Sequence, residues 1–266
     1  MPPTPRQPGM LPASAGRSNV LSGGALTAWA NSWLRGAVSY DAAVSAIHDA
    51  GISTIRSLPD HPEPAPVGWA LSALRSSGGS PLRLVLPVPG DIRGVPGLPG
   101  LPAAATRAEQ LVVGSGLAFL PDDDCAAAGG WLARELTDAV PVGATPGEQQ
   151  TISQAAGALR LAVLAATDAL DDLDLARWNP GVESLRHRAQ TISLPPDHEP
   201  SAAALATRSA QLSAILELAG TDAPGGAIST YGALRRDAAL CPLAVAVREA
   251  LMTAYSAIPV RRKVDR

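Results

Sequence analysis

Apolar positions recur every three or four residues over most of the chain and every second residue over one short stretch. From Leu82 to Val88, Leu82, Leu84, Leu86 and Val88 alternate with Arg83, Val85 and Pro87, the period of a strand. Val85 makes the second face partly apolar, as in a strand covered on both sides. Pro87 and Pro89 cannot donate to a ladder, so the strand ends there or lies at an edge. Gly90, Gly94, Gly97 and Gly100 then interleave with Pro96, Pro99 and Pro102, which excludes helix and sheet and predicts an irregular loop. A scaffold-held loop is a place where function collects; the plainer reading is a linker to the next helix.

Upstream, Leu26, Trp29, Ala30 and Trp33 share one face of a helix over 22–35, with Gly36 as its stop. Ser39 caps a second helix bearing Tyr40, Ala43, Val44 and Ile47 and ended by Gly51. Residues 52–58 form a weak strand and 59–66 a turn-rich loop. Pro66 then opens a helix carrying Val67, Ala70, Leu71 and Leu74, closed by Gly78. Downstream, the pattern predicts a helix over 102–113 and a short strand over 117–120. Asp122–Asp124 then cap a helix bearing Trp131, Leu132 and Leu136. Strands and helices alternating between 52 and 120 predict βαβ units: a small, mostly parallel sheet with covering helices and right-handed crossovers.

After Pro141 the pattern becomes purely helical. Thr145, Pro146, Gly147 and Glu148 read as a capping box with proline in the first turn. Behind it Ile152, Ala156, Leu159, Val163, Ala166, Leu170 and Leu173 alternate spacings of four and three, a heptad-like seam. Residues 179–181 break the chain, a second amphipathic helix covers 201–219, and 223–226 form a turn. A third helix runs over 229–258, broken or kinked at Pro242. The fold class is therefore α/β plus α, helix-dominated overall. It comprises a disordered tail over 1–18, an α/β part over 19–141, an alanine-rich helical bundle over 145–258 and a basic tail over 259–266.

Composition narrows the classes. Apolar residues make up 46% of the chain and aromatics only 3%, so the core rests on Ala, Leu and Val. Net charge is −3, and the basic residues of both tails leave the body more acidic still. That disfavours nucleic acid, whose binding rests on phosphate neutralisation. Cys125 and Cys241 lie far apart, with no CxxC for zinc. No apolar run of about 18 residues stands out, so no membrane span is expected, and the usage fits a cytoplasmic protein.

Candidate chemistry is sparse. Asp91 and Arg93, on the loop 89–100, could bind a small polar ligand, the arginine serving as a fork for carboxylate or phosphate. The glycine spacing is neither a Walker loop nor a dinucleotide fingerprint. Asp122, Asp123 and Asp124, after a short strand, could hold magnesium, although a helix cap explains them as well. Asp168, Asp171, Asp172 and Asp174 are loosely similar to the aspartate-rich helices of isoprenoid-processing enzymes; the spacing departs from DDxxD, and a solvated face explains them. His61 and His198 sit in similar proline-bounded acidic loops and would make a mixed metal site only if the fold joined them. No GxSxG or HExxH is present, and no cofactor is implied.

The segment RLVLPVPGDIRGVPG, with LAFLPDDD downstream, resembles an uncharacterised family of high-GC actinobacterial proteins over residues 66–125; the resemblance implies no activity. With no catalytic constellation and a long seam that another chain could complete, the first reading is a non-enzymatic interaction or scaffold protein. Its partner would be a protein, or a second copy, meeting the helical half. The alternative is a small-molecule or metal-binding enzyme using the loop and the acidic cluster. A deep polar pocket would favour the enzyme. A filled loop with an exposed apolar helix face would favour the interaction module.

Overall fold

The computed structural model describes residues 21–61, 63–114, 116–124, 129–136, 150–171, 192–221 and 230–259. The tail over 1–18, nearly all of the basic tail, the capping box at 145–148, the break at 179–181, the turn at 223–226, and Leu173, Asp172, Asp174, His187 and Cys125 lie outside them. Helix predominates, and the first three helices lie where the apolar period places them. Helix α1 spans Ser22–Leu34 and α2 Tyr40–Asp49, with the Ser39 hydroxyl accepting from the Ala42 N–H at 3.2 Å. Helix α3 spans Val67–Ser76 behind Pro66. The chain enters it through β1 (Thr54–Arg56) and β2 (Ala65–Pro66).

The remainder of the sheet is formed by β3 (Arg83–Val85), β4 (Leu111–Gly114), β5 (Leu117–Pro121) and β6 (Gly130–Glu135). The strand order is β2-β1-β6-β5-β4-β3. Only β1 and β6 run parallel; the other four pairings are antiparallel. The expected mostly parallel sheet is thus corrected to a mostly antiparallel one. Two local features cause this. Helix α4 (Leu101–Ala108) stops at Glu109, whose φ is 60°, so Leu111–Gly114 is a strand and not the end of a helix. β4 then pairs antiparallel with β5, with Gly114 opposite Leu117, the register of a tight hairpin. The helix expected over Trp131–Leu136 is likewise β6. Gly129 and Gly130 disfavour a helix start, and Trp131 and Ala133 are buried on one face.

Alternation along these strands sorts side chains into two cores. Leu82, Leu84, Leu86, Val112, Leu117, Phe119, Trp131 and Ala133 face the helices. Val85, Leu111, Val113, Ala118 and Leu120 face the other way, where Val95, Leu101, Ala105 and Ala108 cover them. The glycine–proline loop therefore has an interior. Ile92, Val95, Leu98 and Leu101 recur every three residues and pack over the second face.

Helix α5 spans Ile152–Asp171, α6 Pro200–Thr221 and α7 Thr230–Tyr255, with Pro242 inside α7. Thr151 and Gln154 cap α5 reciprocally, by Gln154 N–H to Thr151 Oγ1 at 3.2 Å and Thr151 N–H to Gln154 Oε1 at 2.8 Å. Helix α7 packs against α5, α6, α1 and β3. Its Arg235–Tyr255 stretch is long and apolar enough to cross a membrane, yet Leu243, Val247, Ala250, Leu251, Ala254 and Tyr255 are spent in the main core. Gly24 of α1 lies against the Tyr255 ring, where an added Cβ would stand 2.8 Å from a ring carbon.

β3 is an edge strand, and its outward backbone groups meet side chains instead of another strand. Asn31 Nδ2–H donates to the Leu82 carbonyl at 2.9 Å, and the Leu82 N–H donates to Asn31 Oδ1 at 2.8 Å. The Leu84 N–H donates to Ser256 Oγ at 2.9 Å and the Leu86 N–H to Met252 Sδ at 3.2 Å. Arg248 Nη1–H donates to the Leu86 carbonyl at 3.0 Å. Asn31 is buried, so truncating it strands two buried backbone groups. Asn31→Ala is expected to lower unfolding stability by about 2–4 kcal/mol, from two lost bonds with their partners left unsatisfied. Chemical denaturation should show this as a lower midpoint at unchanged slope.

Candidate functional site

Pro89 and Gly90 turn the chain after β3. The Val88 N–H donates to the Asp91 carbonyl at 3.0 Å, and the Asp91 N–H to the Val88 carbonyl at 2.9 Å. Gly90 has φ of 88°, so proline followed by a left-handed glycine forms the tight turn. This turn aims Asp91 at α7. Its carboxylate accepts from Arg93 Nε at 2.9 Å and Nη2 at 2.7 Å, and pairs with Arg248 Nη2 on its second oxygen. Arg93 Nη2 also donates to Glu249 Oε1 at 2.8 Å. Arg248 therefore holds both the end of β3, through the Leu86 carbonyl, and the loop, through Asp91.

The structure thus brings Asp91 and Arg93 together, as the sequence places them, and gives both partners within the chain. Arg93 foremost, then Arg248, holds the Asp91 carboxyl well below the usual carboxylate range against the opposing effect of burial. Asp91 and Glu249 in turn raise Arg93. Arg248 and Glu249 are the residues that sequence reasoning missed. A signal existed: they are the only charges between Ala238 and Tyr255.

The acidic cluster does not converge. Asp122 is buried and accepts from Arg56 Nη1 at 2.9 Å and from the Asp124 N–H at 3.2 Å. Asp123 points out and meets Arg107 at 3.4 Å, and Asp124 is exposed. β3 and β5 run in the same direction, but β4 separates them, and Asp122 and Asp123 turn to different arginines, Arg56 and Arg107. No group of three metal-ligating side chains occurs among the described residues.

His61 and His198 have separate surroundings. His61 stands edge-on to Trp69, with ring centroids 4.6 Å apart. His198 is buried, with Nε2 at 3.1 Å from the Ala254 carbonyl, an arrangement that makes Nε2 the protonated nitrogen. Its neighbour Asp197 pairs with Ser32 and with Arg35 of α1, and Trp29 Nε1–H donates to the Ser193 carbonyl at 3.3 Å. The segment before α6 therefore straps α1 to α7, and its acidic, histidine-bearing motif serves as a fastener. Asp168 and Asp171 lie exposed on α5.

Their surroundings shift the pKa values of Asp91 and His198 both downward, with opposite consequences for charge. Asp91 has a depressed folded pKa, so its contribution is complete above the unfolded value of 3.8 and is lost as pH falls below it. Asp91→Asn is expected to cost about 1.5–3 kcal/mol at neutral pH, the range for hydrogen bonds to charged groups. Its denaturation curve should approach that of the wild type as pH falls through the acid range. Burial foremost lowers the His198 pKa below 6.5. The folded state therefore binds fewer protons, and stability falls as pH drops below 6.5. Thermal melts between pH 7.5 and 5 should show that decline in the wild type and a flatter profile in His198→Gln.

Comparison with known proteins gives the family but no activity. A model described as the N-terminal domain of Rv1486c-like proteins matches residues 23–144, and one described as their C-terminal domain matches 153–252. The chain is 30% identical to Rv1486c of Mycobacterium tuberculosis strain H37Rv, over 88% of this chain and 95% of that one. It is equally similar, over the same shares, to MT1533 of strain CDC 1551. Both relatives carry the description "uncharacterized protein". No solved structure matches the chain. The two domain models and the near full-length relatives place this chain in the Rv1486c-like family, an uncharacterised actinobacterial family.

Proposed function

We propose that the chain is a non-enzymatic interaction protein whose helical part presents α5 to another polypeptide. The observation that carries this reading is the exposure of Leu161, 69%, and Leu164, 56%, on that helix. Its opposite face is spent. Ala155, Leu159 and Ala166 are buried in the core, with Ile152, Ala156 and Val163 packed beside them. The seam legible in the sequence is therefore completed by the chain's own α7, and a second apolar stripe is left facing water. Leaving apolar surface in water forgoes about 25 cal/mol per Å², and adjacent exposed leucines on one helix turn are what an interface needs.

The filled loop supports the same reading. Val95 and Leu101 are buried beneath it, and Asp91 and Arg93 are engaged with α7, which leaves little of the loop for a ligand. A cytoplasmic setting, no nucleic-acid partner and no membrane-spanning role belong to the same proposal. The acidic body and the use of α7 as a core helix support it.

Native mass spectrometry of the protein purified gently from its own host tests this. The wild type is expected to carry a stoichiometric second polypeptide, and Leu161→Glu/Leu164→Glu to lose it at an unchanged melting temperature, as exposed substitutions shift stability by about 0.5 kcal/mol or less. A bound small molecule lost on Asp91→Ala would overturn the reading in favour of a ligand-binding loop.

A further inference from the structure

We infer that the polypeptide meeting α5 is a second copy of this chain, paired α5 to α5 in antiparallel fashion about a two-fold axis at Leu164. This rests on the reading of α5 as an interface and names its occupant. Arg160, Leu164 and Asp168 are all exposed and follow one another at intervals of four residues, so they form one ridge along the helix. At about 1.5 Å per residue, Arg160 and Asp168 lie roughly 6 Å to either side of Leu164 along the axis.

A two-fold axis through Leu164 reverses this ridge onto itself. Arg160 of each copy then faces Asp168 of the other, and the two Leu164 side chains meet between the ion pairs. A parallel pair would set arginine against arginine and aspartate against aspartate, so the charges select the antiparallel arrangement. The contact is self-complementary, as a two-fold interface requires. The neighbouring row, Gly157, Leu161 and Ala165, carries small residues on both sides of its leucine. A Cβ added at Gly157 would meet nothing within 4 Å. This leaves room for a second helix backbone to approach.

Sedimentation velocity on the full chain, purified alone over a range of concentrations, reads the result. The wild type is expected to form dimers and Leu161→Glu/Leu164→Glu to remain monomeric. Arg160→Glu and Asp168→Arg, each of which sets like charges opposite one another twice, should each weaken the dimer by about tenfold or more. The double reversal R160E/D168R should return it to near wild-type affinity. A dimer indifferent to the single reversals, or a double reversal that fails to restore it, overturns the proposal. A chain that is monomeric alone, yet holds a different polypeptide through Leu161 and Leu164 in native mass spectrometry, overturns self-pairing and leaves the interaction reading standing. A monomer with no polypeptide bound in either experiment overturns both.

Discussion

The architecture turns on how the backbone of β3 is satisfied at the edge of the sheet. A strand edge presents donors and acceptors that another strand would take up, and burying them without partners is costly. Here the partners are side chains of α1 and α7, or of the residue just after α7: Asn31, Arg248, Met252 and Ser256. This requires both helices to lie along the edge at fixed height. The N-terminal helix and the last helix are thereby bound to the same strand, and one contiguous hydrophobic core runs from Leu26 to Tyr255.

The charged groups obey the same geometry. Arg248 is a planar fork that binds the strand end with one nitrogen and the loop carboxylate with another, which a lysine point charge could not do in the same way. Asp91 answers two arginines, and Asp122 answers Arg56 and its own turn. On the far side of α1, Asp197 and His198 repeat the arrangement with Arg35 and the Ala254 carbonyl. Asp91, Asp122, Asp197 and His198 thus anchor elements to one another, and among the described residues Leu161 and Leu164 of α5 are the most exposed large apolar side chains.

Local signals in the sequence carried the helices well. The face of Leu26, Ala30 and Trp33, the Ser39 cap and the seam through Leu159 and Ala166 all depend on neighbours within a few residues. The alternation of Leu82, Leu84 and Leu86 and the two-sided burial implied by Val85 were legible for the same reason. Strand direction was not. Whether Leu111–Gly114 ends a helix or pairs with Leu117–Pro121 depends on the left-handed backbone at Glu109 and on the register that sets Gly114 opposite Leu117, and the partner of β1 is β6, the most distant strand from it in sequence. At the candidate site the difficulty was range. Asp91 and Arg93 stand out at once, but Arg248 and Glu249, their partners, are 157 and 156 residues away in sequence.

That distance bears on how the protein is made. The Leu84 amide meets Ser256 across 172 residues. At a synthesis rate of about 5–20 residues per second, roughly 10–30 seconds separate the emergence of the two. For that interval a nascent chain holds an apolar strand whose edge lacks its cover. Pro87 and Pro89 follow that strand directly and Arg83 lies within it, and proline and charge are the residues that discourage a strand edge from recruiting a neighbour. By composition, then, the strand carries its own deterrents to stray pairing from the moment it is made, well before Met252 and Ser256.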